Sequence, residues 1–266
     1  MRGPVAGIEI IRGDVAAAPE HPVDGHHVVS ARGSAAPECR LVSPAGFSLW
    51  LVDIELAAGG ELHLPAIHGD EAIAVLSGRL QAGERICVPH GAVIVEAGAG
   101  EVVLRVLEDA RIVHMGPSDP VVPTNGLNGT PLPGDAIHVV GPRGTYAAVE
   151  PGRDTHYFAD STCPTCRLTL LYTSRSREYV SETHSHSQDE LIHLLWGELR
   201  LGSQVVRPGD TLAIAADRRY GFRSDEAGFG FLNYRRDASQ QTVERGAPPR
   251  MEGGLVNGLE AVMDTA

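Results

Sequence analysis

The sequence predicts an all-β protein built in two similar halves. Three observations carry this expectation. Glycine (31 residues) and proline (18) make up close to a fifth of the 266 residues, which suits short strands joined by many turns and does not suit helix bundles. Short apolar and β-branched runs, bounded by turn-forming residues, recur along the chain. One pattern of residues also occurs twice, 119 positions apart at Glu71 and Glu190.

Taken in order, residues 1–40 precede the strong strand signals and form an N-terminal extension that either adds edge strands or crosses to the other half. Residues 41–115 form the first half, with strand-like runs at 48–56, 92–95 and 101–107. Residues 116–149 read as a linker with connecting strands, because Gly116 to Gly134 is rich in Pro, Gly, Asn, Ser and Thr. Residues 150–240 form the second half, and 241–266 a C-terminal tail. Within that tail Leu255 to Met263, preceded by Gly253-Gly254, has the only helical period and predicts one short helix.

The strongest chemical signal lies in the second half: His184-Ser185-His186-Ser187-Gln188-Asp189-Glu190, followed by Gly197. His184 and His186 are two apart, so on a strand both imidazoles project from one face. Glu190 has the same parity, and a turn through Ser187–Asp189 would instead place it on the next strand, facing back. In either case two imidazoles and a carboxylate can converge on one divalent metal, the facial donor set of non-haem iron sites that also suits Zn, Mn, Co or Ni. From the residue frequencies, H-x-H-x3-[DE]-x6-G arises by chance in roughly one such chain in a hundred. Leu191–Trp196 then reads as a buried strand, and Gly197 as a tight turn into Glu198–Leu201. A second segment, Arg207-Pro208-Gly209-Asp210, opens another strand through Ile214.

These segments resemble the two motifs of the cupin superfamily, the first ending H-x-H-x3-E-x6-G and the second built around PGD. The resemblance implies small antiparallel β-barrels of the double-stranded β-helix (jelly roll) kind, with a metal held inside by His184, His186 and Glu190. There are two departures. Glu178 stands where the first motif usually opens with Gly, and Tyr220 stands twelve residues after Pro208, where the family supplies a third His. Tyr220 is thus a phenolate-type ligand, a proton donor or acceptor beside the metal, or a core residue.

The first half carries the same pattern in worn form. Glu71 to Gly78 matches Glu190 to Gly197, and Pro89-His90-Gly91 answers Arg207-Pro208-Gly209 at a Gly-to-Gly offset of 118. The chain therefore resembles a bicupin over about residues 40 to 240. Pro65 and Ile67 stand where His184 and His186 stand in the second copy, so the first barrel is expected to be structural, with His63, His68 and His90 as the only candidates for a rearranged site.

Composition excludes several function classes. The net charge of −12 and the absence of a basic stripe argue against nucleic acid as a partner. All 22 basic residues are Arg, so no Schiff-base lysine exists. No apolar run approaches the ~18 residues needed to span a bilayer, and the N-terminus lacks a signal-peptide layout, so a cytoplasmic location without membrane partners is expected. Cys163-Pro164-Thr165-Cys166 precedes a strand, not the helix a redox motif requires, and Cys39 and Cys87 are too dispersed to complete a zinc knuckle.

Weaker signals complete the reading. Strand alternation puts Ile192, Leu194 and Trp196 on the Glu190 face and turns His193 away from it. His156 reaches a metal only from an edge strand, and Arg218 or Arg219 either binds a substrate carboxylate or sits in a solvated loop. The expected function is that of a metal-dependent enzyme with one divalent ion, foremost Fe(II), acting as an oxygenase on a small oxygenated substrate. Alternatives are a redox-neutral isomerase or lyase, and a non-catalytic small-molecule-binding protein. Edge strands make a homodimer plausible.

Overall fold

The computed structural model describes residues 7–13, 30–32, 39–119, 134–142, 146–150, 153–160, 163, 165–237, 239–243, 250–251 and 261–263. Among them every regular element is a β-strand, and the strands pair antiparallel. No helix among the described residues is long and apolar enough to cross a membrane.

The chain divides into two compact units. In the first, the strand Glu71–Ala82 lies between Ala92–Val95 and Val102–Pro117 in a nine-stranded sheet. Its core gathers Trp50, Ile54, Leu62, Ile73, Leu80, Val93, Leu104 and Ile112, all essentially buried. In the second, an eight-stranded sheet runs Ile8–Ile11, Thr211–Ile214, Glu190–Gly197, Phe229–Arg236, Leu168–Arg175, Arg153–Ala159, Tyr146–Glu150 and Ala261–Met263. A four-stranded sheet and the three-stranded sheet Ser185–His186, Gln240–Thr242, Arg250–Met251 belong to the same unit. Its core is Leu171, Ile192, Leu194, Leu199, Leu212, Ile214, Phe229 and Phe231. Each such side chain contributes about 1.5–3 kcal/mol by leaving water, so the apolar alternation read from the sequence is also the main source of stability.

Two expectations about the ends are decided by pairing. The N-terminal segment adds an edge strand to the second unit, with Ile8 opposite Ile214 and Ile11 opposite Thr211. Arg12 Nη1 and the Gly13 amide then both bond the Asp210 carboxylate, at 2.9 and 2.7 Å. The helix expected over 255–263 is corrected where it is described: Ala261–Met263 is a strand paired with Tyr146–Ala148, and the rest lies outside the described residues. A partner strand outweighs a weak helical period over so few residues.

The internal repeat is kept in backbone detail. Ile73 faces His114 in one unit and Ile192 faces Asn233 in the other, each pair 119 residues from its counterpart. A register irregularity between Val75 and Ser77 recurs between Leu194 and Trp196. That bulge corrects one expectation: it takes Trp196 off the Glu190 face, leaving it 37% exposed over Gly230, with its Nε1 donating to the Tyr172 hydroxyl at 2.9 Å.

The turn before each following strand also repeats. The His90 amide donates to Val75 O, and the Gly209 amide to Leu194 O. His90, and not Gly91, is therefore the counterpart of Gly209, and a single offset of 119 replaces the 118 read at this turn. Both residues are left-handed, with φ of 65° and 86°.

Two predictions follow from this backbone. Gly197 has φ 77°, and a Cβ there would sit 2.1 Å from Gly228 O. Gly197→Ala should cost about 2 kcal/mol or more in urea unfolding, since it meets both strain and a backbone clash. His90→Gly should instead raise stability by up to about 1 kcal/mol, because the left-handed strain outweighs the extra freedom of the unfolded chain. An unchanged midpoint for Gly197→Ala, or a lower one for His90→Gly, would contradict this account.

Candidate active site in the second unit

The second unit contains a cavity of about 340 Å³, and its lining includes His184, His186, Tyr220, Asn233 and Arg235. The chain builds it from three strand segments. Ser185–His186 is a short strand, a bend follows at Ser187-Gln188, and Glu190 opens the next strand, so the turn expected between the histidines and the carboxylate is present. Tyr220 is bound to His184 by two reciprocal backbone hydrogen bonds of 2.9 Å. The ring centroids of His184 lie 4.9 Å from His186 and 4.6 Å from Tyr220. Tyr220 is thus carried directly against His184. Phe222, Phe229, Phe231, Ile192 and Leu171 supply an apolar wall.

His184 is prepared to act through one nitrogen. Its Nδ1 lies 2.7 Å from Glu182 O. A carbonyl only accepts, so Nδ1 carries the proton and Nε2 keeps its lone pair. Burial, and then the neighbouring His186, hold the ring below its ordinary pKa, which keeps it neutral at pH 7.

Glu190 is buried, with 1% of its surface exposed. Burial alone would raise its pKa. His186, Arg235 and hydrogen bonds from Asn233 and Tyr220 outweigh that and bring the carboxyl below its ordinary value, so it is ionised. Asn233 Nδ2 donates to Oε2 at 2.7 Å and Arg235 Nε at 3.2 Å, while Oε1 is buried without a hydrogen-bond partner among the described residues. His186 Nε2 lies 3.9 Å from Oε2.

The donors suit a divalent ion: two imidazoles, one with its lone pair fixed by a carbonyl as metal-ligating histidines commonly are, and an ionised carboxylate with an unsatisfied oxygen. One feature was not foreseen. The Arg235 guanidinium lies beside both partners, with Nη2 3.5 Å from His186 Nε2. Arg235 and Asn233 escaped the sequence reading although the strand Phe229–Arg236 carries a signal for them. Phe229, Phe231, Asn233 and Arg235 share one face by alternation, and polar residues on a buried face demand partners.

Other candidates fall elsewhere. His193 is turned away from the cavity, its Nδ1 2.9 Å from Thr211 Oγ1. His156 pairs opposite Tyr172 and does not line the cavity. Neither Arg218 nor Arg219 lines the cavity. Arg219 binds the carbonyls of Thr183 and Val243, and Arg218 packs against Gly7, because backbone acceptors and a glycine gap lie within their reach. In the first unit His63 bonds Glu61, His68 bonds the carbonyls of Gly69 and Gly100, and His90 is an exposed turn residue, so the three are not gathered. Ile67 is exposed there. The Cys166 amide bonds Cys163 Sγ at 3.1 Å, and none of the four cysteines is in a disulfide.

No family model matches the chain, and no curated protein matches it in sequence. Solved structures do match. The Ylba protein of E. coli is 14% identical with a TM-score of 0.62 over 91% of this chain and 93% of its own. A candidate dioxygenase from Nostoc punctiforme is 13% identical with a TM-score of 0.62 over 92% and 87%. A variant of the oxalate decarboxylase of Bacillus subtilis is 14% identical with a TM-score of 0.58 over 79% and 75%. At these identities the likeness is one of fold: this chain shares the all-β fold of these proteins.

Proposed function

We propose that the chain is a metal-dependent bicupin enzyme whose second barrel holds one divalent ion through His184, His186 and Glu190, and whose first barrel is structural. The observation that carries this reading is the cavity itself. It brings together a neutral His184 with a fixed Nε2 lone pair, His186 and Tyr220, beside an ionised, buried Glu190 with an unsatisfied oxygen. The fold likeness to an oxalate decarboxylase in which Mn(II) centres are described supports a metal of this charge. When bound, the ion supplies either dioxygen activation, as Fe(II), or Lewis acidity, as Mn, Zn, Ni or Co.

The chain's own residues do the rest. The apolar wall excludes water and seats the body of a small oxygenated substrate. Tyr220, next to His184 and hydrogen-bonded to Glu190, keeps the carboxylate oriented and places a hydroxyl where it can give or take a proton. Such a proton donor favours the redox-neutral isomerase or lyase as the second reading, after the Fe(II) oxygenase.

Elemental analysis of protein purified without an affinity tag should find one divalent ion per chain, lost in a folded His186→Ala variant. Two ions per chain, or unchanged content in that variant, would sink the proposal. An oxygen electrode then separates the two reactions, using diketones, catechols, flavonols and hydroxy acids as probes. Tyr220→Phe should keep the metal and lose about 10²-fold or more in turnover of whichever probe reacts. Loss of metal instead would make Tyr220 a ligand, and full activity would make it packing.

A further inference from the structure

The residue that most needs explaining is Arg235. It is 3% exposed, it stands in register opposite Glu190 on the neighbouring strand, and its guanidinium touches Glu190 and His186 together. A buried arginine is costly unless paired. Here its pairing partners are two of the residues that would hold the ion.

The first unit shows how the same volume is filled when no ligands remain. Glu71, the counterpart of Glu190, is bonded by a different residue: His114 Nε2 lies 2.6 Å from Glu71 Oε2. His114 occupies the register of Asn233. The counterpart of Arg235 is Gly116, and a Cβ there would meet Trp50 Cζ2 at 2.6 Å and Glu71 Cγ at 3.0 Å. The Trp50 indole thus fills the space beside the carboxylate, its ring centre 4.8 Å from that of His114 with the planes near perpendicular, and its Nε1 bonded to Pro117 O. In the second unit the residue 119 after Trp50 is Thr169, opposite Arg235 in register. A small residue there leaves room for a long cationic side chain in place of an indole.

We propose that Arg235 is an internal counter-cation that competes with the metal ion for Glu190 and His186. This rests on the metal-dependent reading of the site. Without an ion, the guanidinium balances the charge of Glu190 at Oε2 and donates toward His186 Nε2, so the unit stays folded although Oε1 lacks a hydrogen bond among the described residues. Binding of an ion requires Arg235 to give up its contact with His186 and to share Glu190, which weakens affinity compared with a site lacking the charge. Arg235 is thereby a residue that sets the affinity of the site, and it acts through its effect on the ligands.

The test is calorimetric titration of the chelator-treated full chain with Mn(II), alongside melting curves. Arg235→Met should bind Mn(II) more than about tenfold tighter than the parent chain, since a like charge is removed from beside the ion. Its metal-free form should melt lower, and Mn(II) should raise its melting point by more than it raises the parent's. If Arg235→Met does not fold, Arg235→Lys serves: its compact ammonium cannot bridge both groups, and it should also bind more tightly than the parent. Equal or weaker binding by the folded variant overturns the proposal, and would mean that Arg235 holds Glu190 in the ligating position. If the parent and both variants bind no Mn(II), no Zn(II) and no Fe(II), the metal-dependent reading fails as well.

Discussion

An ionised carboxylate buried inside a β-sandwich core requires a positive or proton-donating neighbour, and the cost of leaving it without one exceeds that of most single contacts in the protein. Both units place a glutamate at the start of a central strand and then give it a hydrogen-bonding partner from the strand alongside. Glu71 has His114, and Glu190 has Asn233 and Arg235. Everything nearby is arranged around that requirement: the registers of Glu71–Ala82 with Val102–Pro117 and of Glu190–Gly197 with Phe229–Arg236, the glycine under Trp50, and the small residue opposite Arg235. The first solution is closed, since an indole fills the space. The second leaves a cavity, and with it the possibility of chemistry.

Much of this was legible in the sequence. The all-β class followed from glycine, proline and short apolar runs, and the His184 ring centre lies 4.9 Å from that of His186, which spacing singled out, and 4.6 Å from that of Tyr220, which the motif resemblance singled out. What escaped was set by partners distant in the chain. Arg235 matters only because it faces a glutamate 45 positions earlier, and no local window contains both. His114 became meaningful only once its register matched that of Asn233. The misplacement of Trp196 has a local cause, a bulge that strict alternation cannot anticipate. The 118-residue offset at one turn arose because glycine was matched with glycine. The backbone bonds match His90 with Gly209, a non-glycine residue holding a conformation that glycine adopts without strain. The tail was read as a helix because a period of a few residues carries no information about an available strand edge.

The cavity and the core share a wall. Leu171, Ile192, Phe229 and Phe231 belong to the hydrophobic core, so the same side chains that fold the unit shape the cavity. Among the polar groups, Glu190 opens its strand and His186 lies on a two-residue strand, while Asn233 stands within Phe229–Arg236 and Tyr220 packs in the core.

The edge strand Ile8–Ile11 has a consequence for biosynthesis. Its partner Thr211–Ile214 emerges about two hundred residues later, after the whole of the other unit. At about 5–20 residues per second, the N-terminal segment spends roughly 10–40 s outside the ribosome without its native neighbour. During that interval it is an apolar strand with an unpaired backbone, a natural client for chaperones and a hazard for mispairing with nascent chains on the same message. This segment is made long before its partner, and the Arg12 and Gly13 bonds to Asp210 close only after the chain has reached the second unit.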